Sequence, residues 1–547
     1  MDQRQMGMSR PNPLVLLAVL LGLLAYLGGI GVAKGGFFLG KHEGDTLHFL
    51  QIVMRMEAGQ VPHLDFMTPL GGLAFAPFAW VMGMGVTAGA AILWTQVLAA
   101  AVILPAVWWV GWTRLTTPLA LLFSLVTMVL MLALVHGEAE RTISISMHYN
   151  RWAWAAAFVA ILVALLPPRG SKSGVVDGVI VGAVLSALVL IKVTYFVAFA
   201  GPIALALAMT GQRRALVWSV LTGIGIAAAV TLWLGPGYWL AYLADLMTVR
   251  GSEVRPQPGE DLNAVIVAPL YKGASLLAVF SVILLRQAKA DTAGLILLLL
   301  VPGFFYVTYQ NFGNDPQWLY LLPILIFAFR PGPELRGMFG WHLRHAMNIA
   351  GAMALAFAMP SFFNLAFSPS RHCTKDVSEF VPLVTGDPRL ADLQLAEVRA
   401  MRVDGRVALD GDGSGLEAYR DRADRDDPAT FMGETIAYCS TELGLTAFME
   451  AIARDLDAAG LSKGRSAFAA DLFTSYWLFG DLEPVPGGAP WYYGGLPGYE
   501  AADYLLVPFC PLAVDVQKQI LDQITEMGTD GLTEVRRTPL YVLYAKG

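Results

Sequence analysis

The sequence predicts a polytopic α-helical membrane protein carrying a soluble α/β domain at its C-terminal end, and three observations lead there. The 547 residues are 56% hydrophobic and only 15% charged, with a mean hydropathy of +0.55. The apolar residues fall in continuous Leu-, Ala-, Val- and Ile-rich runs of roughly 18 to 25 residues, the length that crosses a hydrocarbon core of about 30 Å. After Phe367 the composition changes sharply toward Asp, Glu, Arg and Gly. The runs do not alternate in period two, so a membrane β-barrel is not expected. The net charge of -6 averages over two unlike parts and gives no reason to expect a nucleic-acid partner.

Spans are expected near residues 13–33, 88–112, 116–136, 152–167, 174–192, 195–210, 215–235, 264–286, 292–309, 316–330 and 346–366, about eleven helices in all. The first, Leu14 to Val32, is too long for a signal-peptide core and lacks a small-residue cleavage site, so it is read as a retained helix. Residues 68–87 are hydrophobic but hold Pro69, Pro77 and several glycines. A full crossing there would switch the side of every later basic junction, and the segment is therefore read as a helix lying in the outer interface.

Orientation follows from the basic residues of the short connections. Arg4 and Arg10 precede the first span, and Arg114, Arg169 with Lys172, Arg213 with Arg214, Arg286 with Lys289, and Arg330 with Arg336 and Arg344 fall at every second junction thereafter. The positive-inside rule puts these junctions and the N-terminus in the cytoplasm. The loop after the first span, the segment 137–151, the loop 236–263 and the turn 310–315 then face outward. An odd number of spans places the tail outside as well, on the periplasmic or extracellular side of an inner (plasma) membrane.

Two domains are thus expected, 1–367 in the membrane and 368–547 outside it. The second closes with a strand at Ala502–Pro508, a helix at Val514–Met527 and one or two strands within Leu532–Tyr544, a pattern that favours an α/β domain. Cys373, Cys439 and Cys510 all lie in it. An oxidising compartment allows one disulfide among them, sequence does not choose which, and their spacing is not that of a metal site. Asp410-Gly411-Asp412-Gly413-Ser414 lacks the glutamate that a calcium loop needs at its twelfth position and reads as a turn.

The chemistry is expected just beyond the first span. His42-Glu43-Gly44-Asp45 is followed, fourteen residues after Asp45, by Gly59-Gln60-Val61-Pro62-His63-Leu64-Asp65-Phe66 and then by Pro69-Leu70-Gly71-Gly72-Leu73. Ionisable groups held at the membrane face are costly and mark a functional site. This loop, its interfacial segment and the helix order resemble the first external loop of the GT-C membrane glycosyltransferases, of the mannosyltransferase and aminoarabinose-transferase kind. The resemblance covers residues 10–160 in motif and order, and the remainder in architecture alone.

It implies an inverting enzyme that moves a sugar from a polyprenyl-phosphate donor to a lipid, glycan or protein acceptor at the outer face. In that family an acid of the first loop is the general base, opposite the leaving phosphate and within hydrogen-bond reach of the attacking hydroxyl. Asp45 and Glu43 both compete for the role. The family's adjacent acidic pair is interrupted here by Gly44, and the spacing to Gly59 favours Asp45. In similar enzymes the second external segment supplies a further acid near the donor sugar or a metal, and the resemblance thus points to Glu138 or Glu140. Some members use a divalent metal and others do not, so the cofactor stays open.

Other candidates come from the residues themselves. Lys192 interrupts the apolar run Leu188–Phe196, which is expensive unless it faces a cavity or an anion, and a lipid phosphate accumulates charge as its glycosidic bond breaks. His148, Tyr149, Asn150 and Arg151 suit sugar hydroxyls or phosphate. Asn311, Asn314 and Asp315 do too, although Asp315-Pro316 also opens the next helix. Asp65 either orients a substrate or closes the turn before Pro69. Arg55, His63, Arg250, Arg255 and Lys272 are further polar groups of the outer face. Trp491-Tyr492-Tyr493-Gly494-Gly495 is either a glycan-contact loop or an edge of the core.

Two other classes fit less well. A flippase for lipid-linked glycans would show paired half-repeats or broken midplane helices, and none is visible. A non-catalytic scaffold has no use for acids concentrated in the first loop. No Gly-rich phosphate loop or DxD pattern marks the cytoplasmic face for a soluble nucleotide sugar.

Overall fold

A computed structural model describes residues 10–169, 173–252, 262–311, 314–338, 340–422, 425 and 427–547. Arg4, Lys172 and Arg255, together with Phe312 and Gly313 of the last external turn, lie outside these residues. Each of the expected spans contains a helix. In chain order the first segments are α1 (Pro13–Ala33), β1 (Phe37–Leu39), α2 (Glu43–Glu57), α3 (Ala76–Gly83), α4 (Ala88–Arg114) and α5 (Thr117–Leu132). There follow α6 (His148–Leu165), α7 (Gly174–Ile191), α8 (Val193–Met209), α9 (Arg213–Leu234) and α10 (Gly237–Arg250). The bundle closes with α11 (Pro269–Gln287), α12 (Asp291–Gln310), α13 (Gln317–Ala328) and α14 (Leu343–Cys373).

Among the described residues, 7 helices are long and apolar enough to cross a membrane: α1, α4, α7, α9, α11, α12 and α14. The apolar α5, α8 and α13 are shorter. α6 is the axis of the bundle, with every residue buried except Tyr149. A helix that is apolar all round belongs in a core, and the polar His-Tyr-Asn-Arg start of α6 is the exception that turns out to matter. α7 and α8 are separated by Lys192 alone, whose extended backbone breaks the helical ladder between them.

The segment 68–87 holds only a short 3-10 turn and the eight-residue α3. Eight residues rise about 12 Å, less than half of a hydrocarbon core, so α3 cannot cross. It packs on α2 and α4 and leaves Trp80 and Met84 exposed. The loop 236–263 departs from expectation, because it contains α10, which buries Tyr238 and Tyr242 and exposes Leu240 and Leu243.

The basic junctions gather at one end of the bundle. Arg169 N donates to Thr113 O at 2.7 Å, the Gln212 amide to Ala164 O at 3.0 Å, Trp108 Nε1 to Pro13 O at 2.8 Å and Met338 N to Gln287 Oε1 at 3.0 Å. The C-terminal region covers the opposite end. Its main sheet has the order Leu532–Arg537, Tyr541–Lys546, Tyr504–Pro508, Ala467–Ala469, and the helix Val514–Met527 packs its apolar face against that sheet. Cys439 and Cys510 form a disulfide and Cys373 is a free thiol. A disulfide here accords with an extracytoplasmic location.

This region is built into the bundle, not hung from it. β1 pairs in parallel with β3 (Leu393–Ala396), which pairs antiparallel with β2 (Phe380–Pro382). The Asp392 carboxylate caps α4, accepting from Gly89 N and Ala90 N at 2.8 Å and from Thr87 Oγ1 at 2.6 Å. A helix N-terminus has unsatisfied N–H groups, and here the cap arrives from about 300 residues downstream.

Candidate active site

The site grows from the first turn of α2. His42 takes a left-handed conformation (φ 67°) at the N-cap, and Glu43 and Asp45 follow in the turn where a helix N-terminus favours negative charge. Gly44 between them is a packing requirement, since a Cβ there would lie 2.6 Å from the Phe473 ring. The two acids then diverge. Glu43 is 7% exposed and clamped by Arg399, at 2.8 Å through one guanidinium nitrogen and 3.3 Å through another. Asp45 is half-buried and accepts a hydrogen bond from Ser146 Oγ at 2.6 Å.

Asp45 lines a cleft of about 60 Å³ with His48 and Phe49 of α2, Ser146 and Tyr149 of the second external segment, and Trp491 and Tyr493 of the C-terminal region. Tyr149 is shared with a second polar group, because Lys192 Nζ stands 5.4 Å from the centre of its ring. Lys192 donates to Asn150 Oδ1 at 3.2 Å and to Asn311 Oδ1 at 2.5 Å, and Asn150 Nδ2 donates to the same Asn311 oxygen at 3.0 Å. Among the described residues no carboxylate pairs with Lys192, and neutral groups meet its ammonium, the two amides and the Tyr149 ring.

Two chemical faces therefore lie on either side of one aromatic ring. Asp45 offers a carboxylate to a cleft, which suits proton acceptance from a hydroxyl. Lys192 offers a cation without a compensating charge, which suits an anion.

Other candidates sit differently. His148 is buried among Phe49, Phe78 and Trp152, with its Nε2 2.9 Å from Ala74 O, and it also lines the cleft. The buried Arg151 guanidinium is taken up by backbone carbonyls, Val135 O at 2.5 Å and Ala133 O at 2.9 Å among them, and so pins the segment that carries Ser146. Asp65 closes its own turn by accepting from Val61 N at 2.6 Å. Arg55 donates to Val485 O at 2.9 Å, and His63 Nδ1 lies 2.8 Å from Asp245. Arg250 and Lys272 are exposed.

Glu138, Glu140 and Asp315 form a separate acidic group. Glu140 pairs with Lys41 at 3.1 Å, Asp315 N donates to Gly137 O at 3.2 Å, and the Asn364 amide holds the Glu138 and Glu140 carbonyls. Burial, and then the neighbouring Glu140, push the Glu138 carboxyl up to about 7. Burial pushes Asp315 up to about 6. Asn314 shares the turn with Asn311, its N donating to Asn311 O at 2.9 Å. Among the described residues, no group of three or more His, Cys, Asp or Glu is arranged to hold a metal ion.

Ser146, Arg399 and Phe473 escaped the reading of the sequence. Arg399 and Glu43 are 356 residues apart, and no local pattern joins them. Ser146 does lie in the external segment already singled out, and its neighbours Ser144 and Thr142 made it one hydroxyl of several. No protein-family model, curated protein or solved structure matches the chain.

Proposed function

We propose that the chain is a GT-C-type membrane glycosyltransferase of about eleven spans that moves one sugar from a polyprenyl-phosphate donor to a hydroxyl acceptor at the outer face of an inner membrane. The observation that carries this reading is Tyr149, whose ring borders both the Asp45 cleft and the Lys192 ammonium. An inverting transfer needs a base on one side of the sugar and a counter-charge for the leaving phosphate on the other. Asp45 takes the proton from the acceptor hydroxyl as its oxygen bonds to the anomeric carbon. The bond from that carbon to the phosphate oxygen breaks with its electron pair, and Lys192 stabilises the charge left on the phosphate.

Glu43 is the weaker base candidate, since its carboxylate is already spent on Arg399. An apolar groove of about 460 Å³ between α7, α8 and α9, reaching Leu190 and Phe196 on either side of Lys192, suits a prenyl chain. Asn311 and Asn150 fix the lysine, and Asn314 and Asp315 support the turn that carries Asn311. Lipid, glycan and protein acceptors all remain compatible with the cleft.

Purified protein incubated with a panel of undecaprenyl-phosphate sugars and membrane extract should release undecaprenyl phosphate and yield a glycosylated product. The reading fails if no donor in the panel is consumed.

A further inference from the structure

The wall of the Asp45 cleft that the membrane bundle does not supply is aromatic. Phe473 presses on Gly44, one residue from Asp45. The Trp491 ring meets Phe473 edge-on at 4.6 Å and His48 at 5.4 Å, and the Tyr493 ring lies near-parallel to it at 6.4 Å with an interplanar angle of 27°. Tyr492, between them in sequence, turns away into the core of the C-terminal domain, where the Gln523 amide donates to its hydroxyl at 3.2 Å. Gly494 and Gly495 then turn the chain with positive φ (124° and 67°), and a Cβ on Gly494 would lie 3.9 Å from Ser252 just beyond α10. Tyr493 is thereby held half-buried with part of its ring exposed to the cleft.

We propose that Tyr493, backed by Trp491, is the platform on which the acceptor lies, and that the acceptor presents a sugar ring there. The inference rests on the transferase reading above for the word acceptor. A pyranose has one face of axial C–H bonds that is apolar and weakly positive, and the face of an aromatic ring is negative and apolar, so the two stack. The rim of the ring carries hydroxyls, and the polar side of this cleft supplies the Asp45 carboxylate and the Ser146 hydroxyl. The platform adjoins Asp45 and His48, whereas Lys192 lies beyond Tyr149, and this assigns the ring to the acceptor and not to the sugar of the donor.

Saturation-transfer NMR on the purified full chain tests this, with methyl α-mannopyranoside and methyl β-glucopyranoside as probes. Transfer from aromatic protons to the ring C–H groups of at least one glycoside is expected in the wild type, in Tyr492→Phe and in Tyr493→Phe. Tyr493→Ala should weaken binding by roughly 3- to 10-fold, the loss expected for one aromatic contact. Undecaprenyl-phosphate mannose added in excess should leave the signal in place. Absence of transfer in the wild type, or equal transfer in Tyr493→Ala, overturns the platform, and displacement by the mannolipid overturns its assignment to the acceptor. The NMR reads glycoside binding without donor turnover, so loss of the platform and loss of the transferase reading appear in different experiments.

Discussion

At the basic end of the bundle Arg114 meets Asp177 at 2.8 Å, with both side chains almost fully buried, and Trp109 Nε1 donates to the same carboxylate at 2.8 Å. At the covered end Lys192 is partly buried, yet among the described residues neutral groups meet it, the amides of Asn150 and Asn311 and the Tyr149 ring, and Asp45 keeps one side toward a cleft. Both ends hold charge at the margin of an apolar bundle, where charge is expensive. One end neutralises it internally, as a structural pair does. The other, among the described residues, gives neither the Lys192 ammonium nor the Asp45 carboxylate an oppositely charged partner, and charge left in that state suits a ligand and a reaction. Polar residues at the edge of a membrane bundle therefore become informative through the partners they lack.

The sharpest way to break this contrast is to remove a partner at the closed end. Arg114→Ala strands the Asp177 carboxylate and should cost about 3–5 kcal/mol of stability, as for other buried pairs. Donor affinity, measured on detergent-solubilised protein that is still folded, should not change. Next in size is Lys192→Met, which should weaken binding of a polyprenyl-phosphate sugar by about 2–5 kcal/mol while leaving the melting temperature equal or higher. A lysine that merely snorkels would leave donor affinity unmoved, and that result would remove it from the site.

Glu43→Gln falls between the two kinds of residue. Losing the charge opposite Arg399 should lower thermal stability by about 1–3 kcal/mol, the worth of a charged hydrogen bond, yet transfer should persist. The smallest effect concerns pH. Burial raises Glu138 to about 7 from an ordinary 4.5, so the folded chain holds that proton more tightly than the unfolded one. The stability this contributes is complete below about pH 4.5 and is lost as pH rises through 7. The melting temperature of the wild type should therefore decline across that window, and Glu138→Gln should flatten the decline slightly, since solvent screens a half-exposed group.

Much of the fold was legible because it depends on composition and period. The apolar stretches became helices, Val514–Met527 formed a helix with the boundaries expected, and Leu532–Tyr544 resolved into two strands, Leu532–Arg537 and Tyr541–Lys546. Helix ends were less legible. α14 runs through Pro360 and Pro369 to Cys373, since packing tolerates prolines that local preference disfavours, and α10 arose in a stretch whose Asp245, Arg250 and flanking glycines masked it. Of the residues that the structure brings near Tyr149, Asp45, Asn150, Lys192 and Asn311 stood out in the sequence as polar residues at apolar margins.

What remained hidden was contact between distant segments. Nothing near Glu43 announces Arg399, nothing near Gly44 announces Phe473, and Arg151 gives no local sign that backbone carbonyls already occupy it. Asp65 is instructive in the other direction, because its turn was readable and its bond to Val61 N is that of a turn.

The central claim is that Asp45, and not Glu43, accepts the proton from the acceptor. The direct measurement is the rate of sugar transfer from an undecaprenyl-phosphate donor for Asp45→Asn and Glu43→Gln side by side, with folding checked by melting temperature. The account predicts a loss of roughly 10²- to 10⁴-fold for Asp45→Asn, as for removal of a general base, with melting nearly unchanged, and at most a few-fold loss for Glu43→Gln. Transfer at the wild-type rate by a folded Asp45→Asn would contradict it.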